Sequence, residues 1–192
     1  MEDYMIHNRE KLYKQNTEES ELVSKAKQDP KSFGKLYDLH APSIYRYVLS
    51  RIGNVQEAQD ITSQTFLKAL EMLPLYKHRG YFSAWLFSIA RSKYIDHFRK
   101  HNQETRAFIN KDLETEPDVL STVVGRERLT ILNDILRLLP EDEQDLLRLR
   151  NVAELSFTEI AEILKKNEGA IKKRYYRLLA RLQSQLEEEN EI

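Results

Sequence analysis

One uninterrupted helical pattern, from Phe82 to Lys100, constrains the fold more than any other stretch of the chain. It contains neither glycine nor proline, and its apolar residues recur at helical spacing, which predicts one helix of about five turns. The apolar side chains form two stripes on this helix, Phe82/Trp85/Leu86/Ile89 and Phe87/Ala90/Tyr94/Phe98. One stripe is enough to dock a helix on a core, so the second stripe requires a separate explanation.

The second stripe mixes aromatic rings with cations. Arg91, Lys93, Arg99 and Lys100 lie in it or beside it, and Asp96 is the only acid in the predicted helix. Rings presented among Lys and Arg can stack on unpaired bases while the cations hold the phosphates. The alternative is that both stripes belong to a core and that the charges are solvated. The helix by itself leaves both interpretations open.

Charge is segregated along the chain, although the formal net charge is only -1. Residues 77–100 contain six Lys or Arg and one acid, and residues 165–181 contain seven Lys or Arg and one acid. Basic stretches of this kind attract a polyanion over roughly a Debye length, about 8 Å in physiological salt. Two separate basic stretches therefore indicate two places where the chain could contact nucleic acid.

Metal and thiol chemistry are not favoured. The chain has no cysteine, which excludes disulfides and thiolate metal sites. His97 and His101 have the spacing of metal ligands on a helix, but the residues between them offer no carboxylate and include two cations. We therefore predict no metal and no cofactor.

The sequence also bears on where the protein is found. Because no apolar run reaches transmembrane length and the N-terminal residues do not resemble a signal peptide, we expect a cytoplasmic protein without direct membrane insertion.

The apolar pattern predicts an all-α fold in which an acidic flexible linker joins two small helical domains. The predicted segments are a flexible leader at 1–17, a helical bundle at 18–101, the acidic linker at 102–124, a second helical domain at 125–186 and an acidic tail at 187–192. Acidic residues surround Pro117 in the linker, which favours an extended solvated chain. An inert spacer is the alternative to a linker with its own binding partner.

Caps and prolines set the predicted boundaries of the first helices. Ser32 is predicted to cap a helix that runs to Gly53 and that Pro42 kinks or splits. Asn54 is predicted to cap the next helix, which Pro74 ends.

The second domain has the pattern of a helix-turn-helix. Ser156 and Glu159 fit a capping box that starts a short helix, and a break at 165–167 precedes a basic second helix. The inner face of that second helix is predicted to consist of Ile171, Tyr175, Leu178, Leu179 and Leu182. Its opposite side then presents Gly169, Lys173, Tyr176, Arg177 and Ala180, with Lys172 on the flank.

The exposed face of this second helix suits DNA. Small residues near its start allow close entry into a major groove, where Lys172, Lys173 and Arg177 could donate to guanine edges or phosphates. A plain packing unit is the alternative, but the excess of cations favours DNA binding.

The layout resembles a bacterial RNA polymerase sigma factor. In the first domain the resemblance is carried by Asp29-Pro30-Lys31-Ser32-Phe33 with Leu36-Tyr37, by DITSQTFLKAL from Asp60 to Leu70, by Ala84-Trp85-Leu86 with Ile89-Ala90-Arg91, and by Ile95-Asp96 with Arg99. In the second it is carried by Leu139-Pro140, Ser156-Phe157-x-Glu159-Ile160-Ala161 and Gly169-x-Ile171-Lys172-x-Arg174. The order and spacing resemble the extracytoplasmic-function subfamily of the sigma-70 family, with region 2 in the first domain and region 4 in the second.

The resemblance implies a protein that is not an enzyme. It would bind core polymerase, direct it to promoters and assist melting. Contact with the clamp helices of the largest polymerase subunit is implied for Asp60, Ser63, Gln64 and Phe66. Contact with the minus-ten element is implied for Tyr76, Lys77, His78, Arg79, Tyr81, Arg91, Ser92, Lys93 and Arg99. Contact with the minus-thirty-five element is implied for Lys172, Lys173, Tyr176 and Arg177.

The resemblance also implies further partners. These are the flap of the second polymerase subunit, promoter DNA in duplex and single-stranded form, and an anti-sigma protein. The acidic linker resembles the family's segment in the RNA channel. The promoter sequence is not implied, because Ser92 in the first domain and Ala170, Lys173 and Tyr176 in the second stand where the family more often has other residue types. In the clamp-like helix, Ser63-Gln64 stand where the family usually has Gln-Glu.

Two other functions compete with this interpretation. A stand-alone helix-turn-helix regulator would leave the aromatic-basic helix and the clamp-like helix without a role. A purely structural helical adaptor would show no salt-dependent affinity for DNA, whereas phosphate contacts require that dependence.

Overall fold

The computed structural model describes residues 18–77, 81–105 and 135–190. Within these ranges the regular elements are helical and no strand occurs, which confirms the predicted all-α class. The predicted leader, most of the predicted linker and the start of the second domain lie outside the described residues. The chain divides into two compact units, Met1–Ile109 and Asn110–Ile192.

The first unit is a bundle of four helices in its described part. Helix α1 covers residues 18–28, α2 is Phe33–Ile52, α3 is Val55–Met72 and α4 is Phe82–Thr105. Short 3-10 turns at Pro30–Ser32 and Leu73–Leu75 connect them. The last helix continues beyond residue 101, where the first domain was predicted to end, so 102–105 are helical.

The predicted caps of the first unit are partly right. The Asn54 side chain accepts from the Glu57 amide at 3.1 Å, which confirms the cap of α3. Ser32 precedes α2, but its side chain makes no capping hydrogen bond. Instead, the Asp29 carboxylate accepts from the Lys31 amide at 3.0 Å and from the Ser32 hydroxyl at 3.2 Å. The side chain that stabilises this turn is therefore Asp29, three residues before the predicted cap Ser32.

Pro42 does not split α2, which is continuous from Phe33 to Ile52. Pro42 lies on the exposed side of the helix, as does Asp38, whose carbonyl loses its helical donor. Water can satisfy that carbonyl, so the helix tolerates the proline.

Both apolar stripes of α4 are packed against the bundle. Every member of the two stripes is buried except Trp85 and Phe98, which are half-buried. The Tyr47 ring of α2 contacts Phe87 and Tyr94 of the second stripe, with ring centroids 5.4 and 6.0 Å apart. The second stripe therefore belongs largely to the core, which is the alternative that the helix by itself left open.

The second unit is built around three helices in its described part. Residues 135–138 are helical, α5 is Glu141–Leu147, α6 is Phe157–Leu164 and α7 is Glu168–Asn190. A π-helical turn at Arg148–Val152 follows α5. Leu139, Leu178 and Leu182 form a buried cluster that brings α7 against the chain segment before α5.

The helix-turn-helix prediction is supported by the local geometry of α6 and α7. Ser156 and Glu159 form the predicted capping box at the start of α6. Lys165 adopts a left-handed conformation with φ of 52°, which ends α6. Four of the five residues predicted to face inward on α7 are buried, whereas Leu179 is 37% exposed.

Among the described helices, none combines the length and apolar character needed to cross a membrane.

Candidate nucleic-acid interface

The outer face of α3 presents three of the four residues predicted to bind polymerase. Asp60, Ser63 and Gln64 are exposed. Phe66 is only 4% exposed, because its ring packs against Phe33 and Tyr37 with centroids 6.3 and 4.7 Å away. Phe66 therefore lies in the core, on the inner side of α3, and is not part of the exposed face.

Sequence reasoning missed one residue of this face. Leu67 is 62% exposed and lies about one helical turn beyond Ser63 and Gln64. Helical periodicity already places Leu67 off the apolar face that contains Ile61 and Thr65. The structure shows that both of those residues are buried, so the exposure of Leu67 could have been predicted from the sequence. An exposed leucine beside polar residues gives α3 a small amphipathic surface.

The connection before α4 contributes less surface than predicted. Tyr76 is 8% exposed, and its ring lies 5.5 Å from the Phe82 ring and 4.5 Å from the Trp85 ring. The ring is thus part of the core, not of an exposed stacking surface. Lys77 is exposed and Tyr81 is half-buried. His78 and Arg79 lie outside the described residues.

The predicted residues on α4 itself reach the surface to different degrees. Ser92 and Arg99 are exposed and lie on one face, because residues seven apart on a helix are two turns apart. Arg91 and Lys93 are half-buried. The Arg99 guanidinium lies 3.9 Å from the Asp96 carboxylate in a largely exposed pair, which solvent screens.

His97 has a protein partner. Its Nε2 atom lies 3.0 Å from the Glu57 carboxylate, which joins α4 to α3. In the part of the chain that the structure describes, no group of three His, Cys, Asp or Glu side chains has the arrangement of a metal site. The side chain of His101 is not described.

The four residues of α7 that were predicted to contact the minus-thirty-five element lie at the surface. Lys172, Lys173, Tyr176 and Arg177 are all exposed. Tyr176 is 60% exposed, and its ring centroid lies 5.9 Å from that of Phe157 in α6. The preceding helix therefore supports one side of the tyrosine and leaves the other side open.

Two of the seven cations at 165–181 pair with acids of α5. Arg174 pairs with Asp142 and also lies 3.9 Å from the Glu143 carboxylate of α5. Arg181 pairs with Glu143. These contacts fix α7 to α5, so the count of cations in the sequence overstated the charge directed at DNA. Lys173 and Arg177 are exposed on the same helix beside these two arginines.

Lys172 is held by a carboxylate at the start of α7. Its ammonium lies 2.7 Å from Glu168 and 5.9 Å from the centroid of the Phe157 ring. Thr158 of α6 donates to the second oxygen of Glu168 at 2.9 Å. The hydrogen bond from Lys172, followed by that from Thr158, lowers the pKa of Glu168 below its ordinary value. The start of α7 thus carries a negative charge that orients one of its lysines.

Two family models match the chain. The model for Sigma-70 region 2 matches residues 36–104, and the model for Sigma-70, region 4 matches residues 129–182. The first match lies within the first compact unit and the second within the second.

Several curated proteins are similar in sequence. The ECF RNA polymerase sigma factor BldN of Streptomyces coelicolor is 35% identical over 84% of this chain and 63% of its own length. SigD of Mycobacterium tuberculosis is 31% identical over 76% of this chain and 72% of its own. SigW of Bacillus subtilis is 30% identical over 85% of this chain and 92% of its own. The chain thus spans less than two thirds of BldN.

Two solved structures share the fold. CnrH, in complex with the cytosolic domain of CnrY, has a TM-score of 0.64 at 22% identity and covers 86% of this chain and 95% of its own. RpoE from Bartonella quintana, in complex with the anti-sigma factor NepR, has a TM-score of 0.64 at 23% identity. The match covers 82% of this chain and 98% of the RpoE chain.

Proposed function

The chain belongs to the extracytoplasmic-function group of the sigma-70 family of RNA polymerase sigma factors, and we propose that its two units divide promoter recognition between them. The protein binds core bacterial RNA polymerase, directs it to specific promoters and assists promoter melting. It uses binding energy alone, and the polymerase supplies the catalysis. This function is not enzymatic and takes place in the cytoplasm, where the polymerase meets promoter DNA.

The observation that carries the proposal is the exposed face of α7. Lys173, Tyr176 and Arg177 are exposed on one side of α7, whose opposite side is buried and packs on α6 through the Tyr175 and Phe157 rings. A basic helix held in this way can enter a major groove, where Arg and Lys donate to guanine edges or phosphates. These three residues, with Lys172 beside them, contact the minus-thirty-five element.

The first unit contacts the minus-ten element. Ser92 and Arg99 of α4 are exposed on one face, and Lys77 is exposed before the helix. Arg91, Lys93 and Tyr81 are half-buried beside them. Polar and cationic groups of this kind hold a displaced strand through its phosphates and bases.

Tyr76 does not contact the strand itself. Its buried ring packs on Phe82 and Trp85 and so positions the start of α4. His78 and Arg79 remain candidates for capture of a minus-ten base by the resemblance alone.

The outer face of α3 binds the polymerase clamp. Asp60, Ser63 and Gln64 supply polar contacts, and Leu67, about one helical turn further along, adds an exposed apolar one. Interfaces of this kind draw much of their affinity from a few apolar anchors surrounded by polar groups. Binding of the flap by the second unit, and of an anti-sigma protein, remain predictions from the family resemblance.

Transcription in vitro tests the proposal. Core polymerase from the source bacterium is incubated with a genomic promoter library, with and without the protein. We expect initiation at discrete sites that share two spaced sequence elements. A double variant, Lys173→Ala with Arg177→Ala, is expected to lose these sites while it still binds core polymerase. If the protein binds duplex DNA through its second unit but does not bind core polymerase, the stand-alone regulator is the correct function.

A further inference from the structure

Helix α1 lies outside the residues matched by the region 2 model, which begin at residue 36. It is nevertheless docked on the bundle, because Val23 and Ala26 are 1% and 3% exposed. Glu19 and Lys27 lie near the two ends of this apolar stripe, about 12 Å apart along the helix axis at 1.5 Å per residue. Each of the two charged side chains contacts a different end of the connection between α3 and α4.

Glu19 contacts the start of α4. One of its carboxylate oxygens accepts from the Phe82 amide at 3.3 Å, and the other lies 3.0 Å from Nε2 of His40 in α2. The side chains of Glu19 and His40 are only 14% and 10% exposed. The largely buried carboxylate thus contacts two neighbouring elements and is mostly shielded from solvent.

This contact replaces a local cap. The first amides of a helix lack intrahelical acceptors, and a Ser, Thr, Asp or Asn just before the helix usually satisfies one of them. The residue before α4 is Tyr81, whose side chain cannot act in this way. Glu19 therefore caps α4 from another helix, and its negative charge also interacts favourably with the positive end of the helix dipole.

Lys27 contacts the other end of the connection. Its ammonium donates to the carbonyl oxygen of Tyr76 and lies 5.8 Å from the centroid of the Tyr76 ring. The same ring packs on Phe82 and Trp85. Helix α1 thus contacts both Tyr76, which follows the Leu73–Leu75 turn, and Phe82, which begins α4.

We infer that Glu19 and Lys27 are positioning residues for minus-ten recognition: α1 sets the separation of Tyr76 and Phe82 and thereby the placement of the DNA-facing side of α4. This inference rests on the proposed function. The two residues do not contact the strand themselves. Their loss disturbs the held strand more than it disturbs binding of core polymerase or of the minus-thirty-five duplex, because those contacts lie on α3 and α7.

The variants are chosen from α1 itself. Glu19→Ala removes the carboxylate, and Lys27→Met removes the ammonium but keeps most of the side-chain length. Glu21→Ala and Lys25→Ala are the matched controls, because Glu21 and Lys25 form a pair at 3.8 Å whose side chains are 65% and 66% exposed. Lys27 is itself exposed, so Lys27→Met is expected to fold even if Glu19→Ala does not.

Three affinities are measured: that of the free protein for core polymerase, and those of the holoenzyme for an upstream duplex with only the minus-thirty-five element and for a single strand with the minus-ten element. Both elements are taken from sites at which the wild type initiates. We expect Glu19→Ala and Lys27→Met to weaken single-strand binding about tenfold, as for one charge-assisted hydrogen bond, and to leave the other two affinities within about twofold. The controls are expected to match the wild type on all three probes.

Amide hydrogen exchange of the free full-length protein gives a second readout. Glu19→Ala is expected to speed exchange at residues 82–85, and Glu21→Ala is not. If Glu19→Ala and Lys27→Met bind the single strand as tightly as the controls do, the inference is overturned. The proposed function is not affected by that result. If the wild type itself neither binds core polymerase nor initiates at any site, the proposed function fails and the inference fails with it.

Discussion

The Glu168 carboxylate binds the Lys172 ammonium at 2.7 Å, one turn along the recognition helix α7. Thr158 donates to the other carboxylate oxygen from the preceding helix. The acid thus joins the two helices of the helix-turn-helix and orients Lys172, one of the lysines that we propose contact DNA. A residue that the sequence presents as the one acid among many cations is the centre of a small polar network.

This network makes the titration of Glu168 sensitive to Lys172. The folded-state pKa lies below the ordinary value of 4.5, with the Lys172 hydrogen bond as the main cause. The ionised acid therefore stabilises the fold above that ordinary value, and the contribution is lost as the pH falls through the lower folded-state pKa. We expect Lys172→Met to raise the midpoint of Glu168, measured from its side-chain carboxyl carbon by NMR. Thr158→Val should raise it less, and identical midpoints in all three proteins would contradict the assignment.

The cations of α7 should separate into two classes. Lys173→Ala and Arg177→Ala remove exposed groups, so each is expected to weaken binding of the minus-thirty-five duplex by about 1 to 3 kcal/mol. The slope of log affinity against log salt concentration should become shallower by about one for each phosphate that a variant no longer binds. Affinities are measured by fluorescence anisotropy over a series of salt concentrations.

Arg181→Ala is the matched control for these variants, since Arg181 pairs with Glu143. It should lower the thermal stability of the second unit and leave the salt slope unchanged. An unchanged slope in Lys173→Ala and Arg177→Ala as well would show that α7 does not contact phosphates through these residues.

Leu67 should contribute to polymerase binding without contributing much to the fold. It is 62% exposed, so Leu67→Ser removes little buried area and should change thermal stability only slightly. We expect core polymerase affinity to fall by about 1 to 2 kcal/mol, as for an apolar anchor in an interface. Val55→Ser is the control, because Val55 is 53% exposed at the other end of α3. Equal affinities of the two variants would exclude Leu67 from the interface.

The two large rings of α4 should differ in their effect on stability. Phe87 is 1% exposed and packs on Tyr47, so Phe87→Ala should cost about 3 to 5 kcal/mol of unfolding free energy. Trp85 is half-buried against Tyr76 and Phe82, so Trp85→Ala should cost less. Urea denaturation followed by circular dichroism measures both. A larger loss in Trp85→Ala would show that the indole is a main element of the core.

The local features of the fold were readable from the sequence because they depend on neighbours in the chain. Asn54 caps α3, and Ser156 with Glu159 forms a capping box, since each contact joins residues three apart. Helical periodicity likewise predicted the buried positions Ile171 and Tyr175 on α7.

Local patterns failed where a distant element decides the outcome. Periodicity showed that α4 has two apolar stripes, but only the packing of Tyr47 on Phe87 shows that the second stripe is core. Composition grouped Arg174 and Arg181 with the DNA-facing cations, although α5 binds both.

The sequence by itself determined the class of fold, the order of the two domains, the family and the exposed basic face of α7, because periodicity, caps and short motifs are properties of consecutive residues. Only the tertiary structure decided that Phe66 and Tyr76 are buried, that Leu67 is exposed, and that Glu19 caps α4 across 63 residues of chain. The physical reason is that burial and capping by a distant side chain depend on which helices meet, and no local spacing specifies that meeting.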